Sequence, residues 1–123
     1  MVIRDGWASA ENFWGEKLKN IFVEHHFTGL KPTYGSVRNI EHGATGEHII
    51  TFSYYTGLFS PQNYWRISIE TIDGKKYSTN ELFYCSITDA DNGRAIIGVN
   101  GESQTAYVAF PSSSGCSRKM VRI

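Results

Sequence analysis

The sequence predicts an all-β fold, a single antiparallel β-sandwich of about eight or nine strands. Three observations predict it. Apolar and polar residues alternate with a period of two along several segments. Turn signals containing Gly break the chain at short intervals. No stretch carries the i, i+3, i+4, i+7 spacing of an amphipathic helix; "AENFWGEKLKNIF" comes nearest, and Gly15 interrupts it.

Strands are expected near 7–12, 17–27, 34–39, 47–55, 64–72, 75–78, 82–87, 94–99 and 104–110. In "KLKNIFVEHHF", Ile21, Val23 and His25 share one face, opposite Leu18, Asn20, Phe22 and Glu24. In "HIITFSYY", Ile50, Phe52 and Tyr54 share a face. "YWRISIETI" places Trp65, Ile67 and Ile69 inside, with Tyr64, Arg66, Ser68 and Glu70 outside, the pattern of a half-buried strand. Asp73-Gly74 predicts a type I′ hairpin, and Asn92-Gly93 and Asn100-Gly101 mark further tight turns. "PSSSGCS" reads as a loop before a short last segment within 111–123, and the whole chain 1–123 reads as one domain.

Composition narrows the function classes. The 123 residues suffice for one compact domain, and a 41% hydrophobic, 14% aromatic composition can fill a core without metal or disulfide staples. The 12 basic residues balance the 12 acidic ones, which argues against the sequence-independent grip on nucleic acid that a basic face provides. Arg118, Lys119 and Arg122 read as a solvated, locally basic end. "MVIRDGWASAENFW" has no apolar h-region and does not read as a signal peptide, and runs such as "AIIGV" are too short to cross a bilayer. Cytoplasmic residence or leaderless secretion is the resulting expectation. With no secretory signal, Cys85 and Cys116 are expected as free thiols.

Motifs for catalysis and metal binding are sparse. No GxSxG, HExxH or P-loop occurs, so the chain is expected not to be an enzyme and to hold no cofactor. His25 and His26 are adjacent on a strand and point to opposite faces. His42 and His48, with Glu41 and Glu47 beside them, would form a His/Glu metal cluster only if a hairpin brought them face to face. "DADNGR" resembles the start of a calcium loop, but the Gly comes one residue early and the distal Glu is missing, so a turn explains it.

The stretch "TFSYYTGLFSPQNYWRIS" is the richest in unassigned chemistry. Tyr54, Tyr55, Phe59, Tyr64 and Trp65 fall around a Gly/Pro turn, and Trp14 is a further aromatic that could join them. Alternation sends Trp65 and Tyr54 to the core. Tyr55 and Phe59 lie where the chain should turn, and exposed aromatics there suit stacking on sugars, lipid headgroups or a protein partner.

The residues Phe52, Ser53, Asn63, Tyr64 and Trp65 in "FSYYTGLFSPQNYW" resemble the lipid-headgroup segment of the actinoporins, the sea-anemone cytolysins. "ENFWGEKLKNIFVEHHFTG" is similar to their opening strands. The pattern "HGATGEHIITFSYYTG…YWRISIETIDGKKY" resembles still more the Up-regulated-in-Daf-two domain family, over about residues 8–110. This resemblance implies an actinoporin-like β-sandwich, shared with fungal fruit-body lectins and aegerolysins, groups that bind sphingolipid headgroups, sugars or membranes. It makes Ser53 a headgroup-contacting serine and puts Tyr64 at an aromatic position of the same site. Thr56 and Leu58 stand where two of the actinoporin tyrosines would be, and the amphipathic N-terminal helix is replaced by about seven residues before the first expected strand. A pore-former acting alone is therefore not expected.

These readings converge on a non-catalytic recognition module for a glycan, lipid headgroup or membrane surface. Ser53, Tyr55, Phe59 and Tyr64 are the expected contact residues. The second reading is a protein-interaction domain that self-associates into a homo-oligomer through the same patch or a sheet edge.

Overall fold

A computed structural model describes residues 2–56 and 62–123. The strands are β1 (Val2–Phe13), β2 (Leu18–Phe27), β3 (Thr33–Ile40), β4 (Thr45–Thr56), β5 (Asn63–Thr71), β6 (Lys76–Ser78), β7 (Phe83–Tyr84), β8 (Arg94–Asn100), β9 (Thr105–Ala109), β10 (Cys116–Lys119) and β11 (Val121–Arg122). Two sheets pack face to face. The first has the order β10-β9-β8-β1-β4; the second has the order β11-β6-β5-β2-β3, with β7 also paired to β5. The predicted sandwich is the observed architecture.

Alternation fills the space between the sheets. Ala8, Ile50, Phe52, Tyr54, Ile97, Val99 and Val108 come from the first sheet, and Ile21, Val23, Trp65, Ile67 and Ile69 from the second; all are buried. Trp65 satisfies its indole N–H by donating to the Cys85 carbonyl at 2.9 Å, which lets a polar aromatic sit fully inside.

Several expectations require correction. The sandwich is not wholly antiparallel: β1 pairs with β4 antiparallel and with β8 parallel, from Trp7↔Arg94 to Phe13↔Asn100. Alternation reports which face a residue takes, not which way the neighbouring strand runs. The first strand starts at Val2 and not near residue 7. Its Asp5-Gly6 step resembles a turn but lies inside the strand, where Gly6 admits the Gly93 carbonyl and the Phe52 ring. Leu18, expected on the polar face, is buried, because a bulge between Leu18 and Asn20 reverses the alternation there.

The turns also differ from those expected. The Asp73-Gly74 turn is not type I′, since Gly74 has φ 91° and Asp73 is not in the left-handed region. Gly74 N–H bonds the Thr71 carbonyl, and Thr71 N–H bonds the Lys75 carbonyl, giving a three-residue loop with Gly at its left-handed position. Asn92-Gly93 does not join two strands; it ends a single 3₁₀ turn, Asp89–Asp91, before β8. The basic C-terminal residues are exposed, as expected of a solvated end, but they form strand. Arg118 and Lys119 lie in β10 and Arg122 in β11, one strand in each sheet.

The free-thiol expectation is also overturned: Cys85 and Cys116 form a disulfide, with Cα atoms 5.9 Å apart. Cys85 follows β7 of the second sheet and Cys116 begins β10 of the first, so the bond staples the two layers together. Absence of a signal in the sequence says nothing about the proximity of two thiols 31 residues apart.

Candidate functional site

Strands β4 and β5 carry the predicted contact residues on different sheets. Ser53 faces outward on the first sheet, paired with Asp5 of β1, and its hydroxyl donates to Asp5 Oδ1 at 2.8 Å. Tyr55 is half-buried at the end of β4 and packs against Phe27, with ring centroids 5.6 Å apart. Phe59 lies outside the described residues. Tyr64 faces outward on the second sheet, and its hydroxyl donates to Gln62 Oε1 at 2.9 Å. Trp65 is fully buried, as its place in the alternation requires, and Trp14 packs on Tyr77 with centroids 4.9 Å apart. The fold therefore does not gather Ser53 and Tyr64 on one face. They belong to opposite outer surfaces of the sandwich.

Tyr64 instead belongs to a polar-aromatic face that no sequence motif marks. Its cross-strand neighbours are His26 on β2 and Tyr84 on β7, and its ring lies 6.1 Å from that of Tyr84. One row further along, Glu24 sits between Tyr34 and Arg66. Arg66 donates through Nε (3.0 Å) and Nη2 (2.7 Å) to Glu24 Oε1, and His26 Nε2 lies 3.0 Å from Glu24 Oε2. Phe22 and Tyr34 stack beyond this triad, with centroids 6.1 Å apart.

The electrostatics of this face follow from its geometry. Glu24 is only 8% exposed although it points away from the core, because its neighbours cover it. Burial opposes its ionisation, but the hydrogen bonds from His26 and Arg66 outweigh burial and hold its carboxyl below the usual carboxylate range. The result is a pre-oriented carboxylate, guanidinium and imidazole between two aromatic pairs. Tyr34 and Tyr84 are both exposed. Such a surface offers ring faces for stacking and fixed donors and acceptors for hydroxyl groups. The signal for it was present as the outward half of the alternation in β2 and β5, but the pairing that makes it one surface is not written in either segment.

No protein-family model matches the chain, and no curated protein matches it.

The remaining candidates resolve into structure. His25 is buried between Phe52 and Trp65, its Nε2 2.7 Å from Asn63 Oδ1, and burial depresses its pKa to about 4. It is a neutral core residue. His42 accepts from the Gly15 amide at 3.0 Å, whereas His48 stacks on Trp7 with centroids 4.9 Å apart, so the two histidines serve different neighbours. Among the described residues, no group of three or more His, Cys, Asp or Glu side chains could hold a metal ion.

Asp91 of "DADNGR" is fully buried. It accepts from the amides of Thr88 (2.9 Å), Ser112 (2.9 Å) and Ser113 (2.8 Å) and from the Ser113 hydroxyl. Burial opposes its charge, but these donors prevail and hold its carboxyl at about 2. Its acceptor sites are engaged by the chain itself, which clips the 3₁₀ turn to the loop before β10.

Proposed function

We propose that this domain is a non-catalytic recognition module for glycans, and that the outer face of the second sheet makes the contact. The observation that carries this reading is the Glu24–Arg66–His26 triad held between the Tyr64–Tyr84 and Phe22–Tyr34 pairs. A pyranose presents an apolar C–H face and a rim of hydroxyl groups. Aromatic faces take the first, and the half-exposed Arg66 and His26, oriented by the covered Glu24, take the second. Phe59, five residues before Tyr64 in the sequence, remains a proposed contributor. Ser53 and Tyr55 take no part in this contact. The resemblance to the actinoporin-like sandwiches and to the Up-regulated-in-Daf-two family supports sugar or headgroup binding as the ligand class, while the joint Ser53–Tyr64 site it implies does not form on this face.

A glycan array tests the reading, with Tyr64→Ala and Tyr84→Ala as variants and Thr51→Ala on the opposite sheet as the control. The expected result is a saccharide retained by the parent and by the control, with affinity falling about tenfold in each tyrosine variant, or about 1.4 kcal/mol. Retention that is equal in all four proteins rejects this face. Binding to sphingomyelin vesicles without any glycan binding replaces the sugar by a lipid headgroup. The self-association reading gains only if size in solution rises with concentration and Tyr84→Ala prevents it.

A further inference from the structure

The outer face of the first sheet carries a second feature, unrelated to the Tyr64 face. At Ala8–Ala10 the β1–β4 register slips: Ala8 pairs with Ile50, and Ala10 pairs with Gly46. Ser9 is thus opposed by three residues, Glu47 to Ile49. His48, the middle one, is held at φ 48°, a left-handed conformation that a residue with a Cβ adopts at a cost of about 1–2 kcal/mol. This bulge turns the imidazole onto Trp7, where the two rings stack at an interplanar angle of 10°. The His48 Nε2 is fixed 2.7 Å from Thr51 Oγ1.

Trp7 is braced from its other neighbour too. Strand β8 lies on the side of β1 opposite to β4, and the Arg94 guanidinium sits 4.3 Å from the indole centroid. Among the described residues, Arg94 has no carboxylate within ion-pair distance; its one hydrogen bond there is a long 3.5 Å contact to the Asn92 carbonyl. Its charge is positioned by a ring face, with no direct ion pair among the described residues.

Beside this pair runs a groove of about 370 Å³, its apolar lining drawn from Trp7, Ile96, Ala109, Phe110 and Pro111 and its polar lining from Arg94 and Ser9, whose hydroxyl donates to Glu47 Oε2 at 3.5 Å. Its walls are mainly apolar, and Ile96, on its lining, is 40% exposed. An apolar slot with one oriented cation fits an amphipathic anion: the groove takes the apolar body, and the guanidinium takes the charged head through charge-assisted hydrogen bonds. A neutral apolar ligand would leave Arg94 unused, and a polar sugar would leave the groove walls unmatched. We infer that the Trp7–Arg94 groove is a binding site for an organic monocarboxylate with an apolar body. The strained bulge at His48 holds the indole that orients the cation.

Octanoate and 1-octanol, as an anionic and an uncharged probe of the same chain length, test this by calorimetry and by amide-shift mapping on the intact chain. Octanoate should bind saturably, about tenfold tighter than octanol, with shifts centred on Ile96 and Ala109. Arg94→Gln should weaken octanoate about tenfold and leave octanol unchanged. Arg94→Lys should recover part of the loss. Ala109→Leu, which fills the groove, should weaken both probes while the rest of the spectrum keeps its native pattern. The inference is overturned if millimolar octanoate gives no saturable shift, if the two probes bind equally, or if Arg94→Gln binds octanoate as the parent does. None of these outcomes depends on glycan binding at the opposite face.

Discussion

His25 shows how one side chain couples the core to pH. It is 2% exposed, lies between Phe52 and Trp65, and bonds Asn63. Burial lowers its pKa from 6.5 to about 4. Between those values the unfolded chain takes up a proton that the folded chain refuses, so stability falls as the pH drops from about 6.5 to about 4 and is full above that window. A shift of this size corresponds to about 3 kcal/mol over the whole window. In urea unfolding, the parent should lose about 2 kcal/mol more than His25→Gln between pH 7 and pH 5. Equal losses would mean that His25 is not held neutral in the folded core. Strand periodicity put His25 on the apolar face with Ile21 and Val23, so its burial was legible; Asn63, 38 residues away, was not.

Among the strands, the contact of β3 with β4 does most to close the sandwich along one side. The two strands belong to different sheets, and their backbones approach at Gly35. A Cβ there would lie 2.2 Å from the Ile49 carbonyl oxygen and 2.6 Å from Ile50 Cβ. Gly46 is similarly crowded by Val37. Gly35→Ala should therefore destabilise the domain by about 2–3 kcal/mol, because backbone atoms must move to admit one methyl group. Ser36→Ala, at the neighbouring exposed position, should stay within about 0.5 kcal/mol of the parent. Denaturant midpoints for the two variants decide this, and a Gly35→Ala protein as stable as the parent would show that the strands part easily. The apolar faces of β4 and β5 were readable from alternation. The bulges at Lys19 and at Glu47–Ile49 were not, because an extra residue leaves no mark in composition and only shifts the pairing.

Across the molecule, the other side of the sandwich is tied by the chain's last segment. β10 and β11 are separated by Met120 alone, yet they join different sheets, and Met120 is buried between them. The Cys85–Cys116 disulfide adds a covalent link at the same side. Closing a 31-residue loop in the unfolded chain corresponds to about 3–4 kcal/mol of stabilisation in the chain-entropy view. Reduction, or the double substitution Cys85→Ala with Cys116→Ala, should lower the unfolding free energy by about that amount and lower Tm in calorimetry. Unchanged melting after full reduction would show that the strand pairing alone holds this side.

Side-chain periodicity settled the class of fold, the inward residues of β4, of β5 and of β2 from Ile21 to His25, and the burial of Trp65, because each is dictated by neighbours within a few residues. Strand direction, the parallel β1–β8 pair, the disulfide and the bulge that turns His48 onto Trp7 depend on segments distant in the chain. So do both candidate surfaces. Glu24 and Arg66 are 42 residues apart, and Trp7 meets Arg94 only because β1 and β8 pair in register. A binding surface is a property of which strands lie side by side, and long-range pairing energies, rather than local patterns, choose that arrangement.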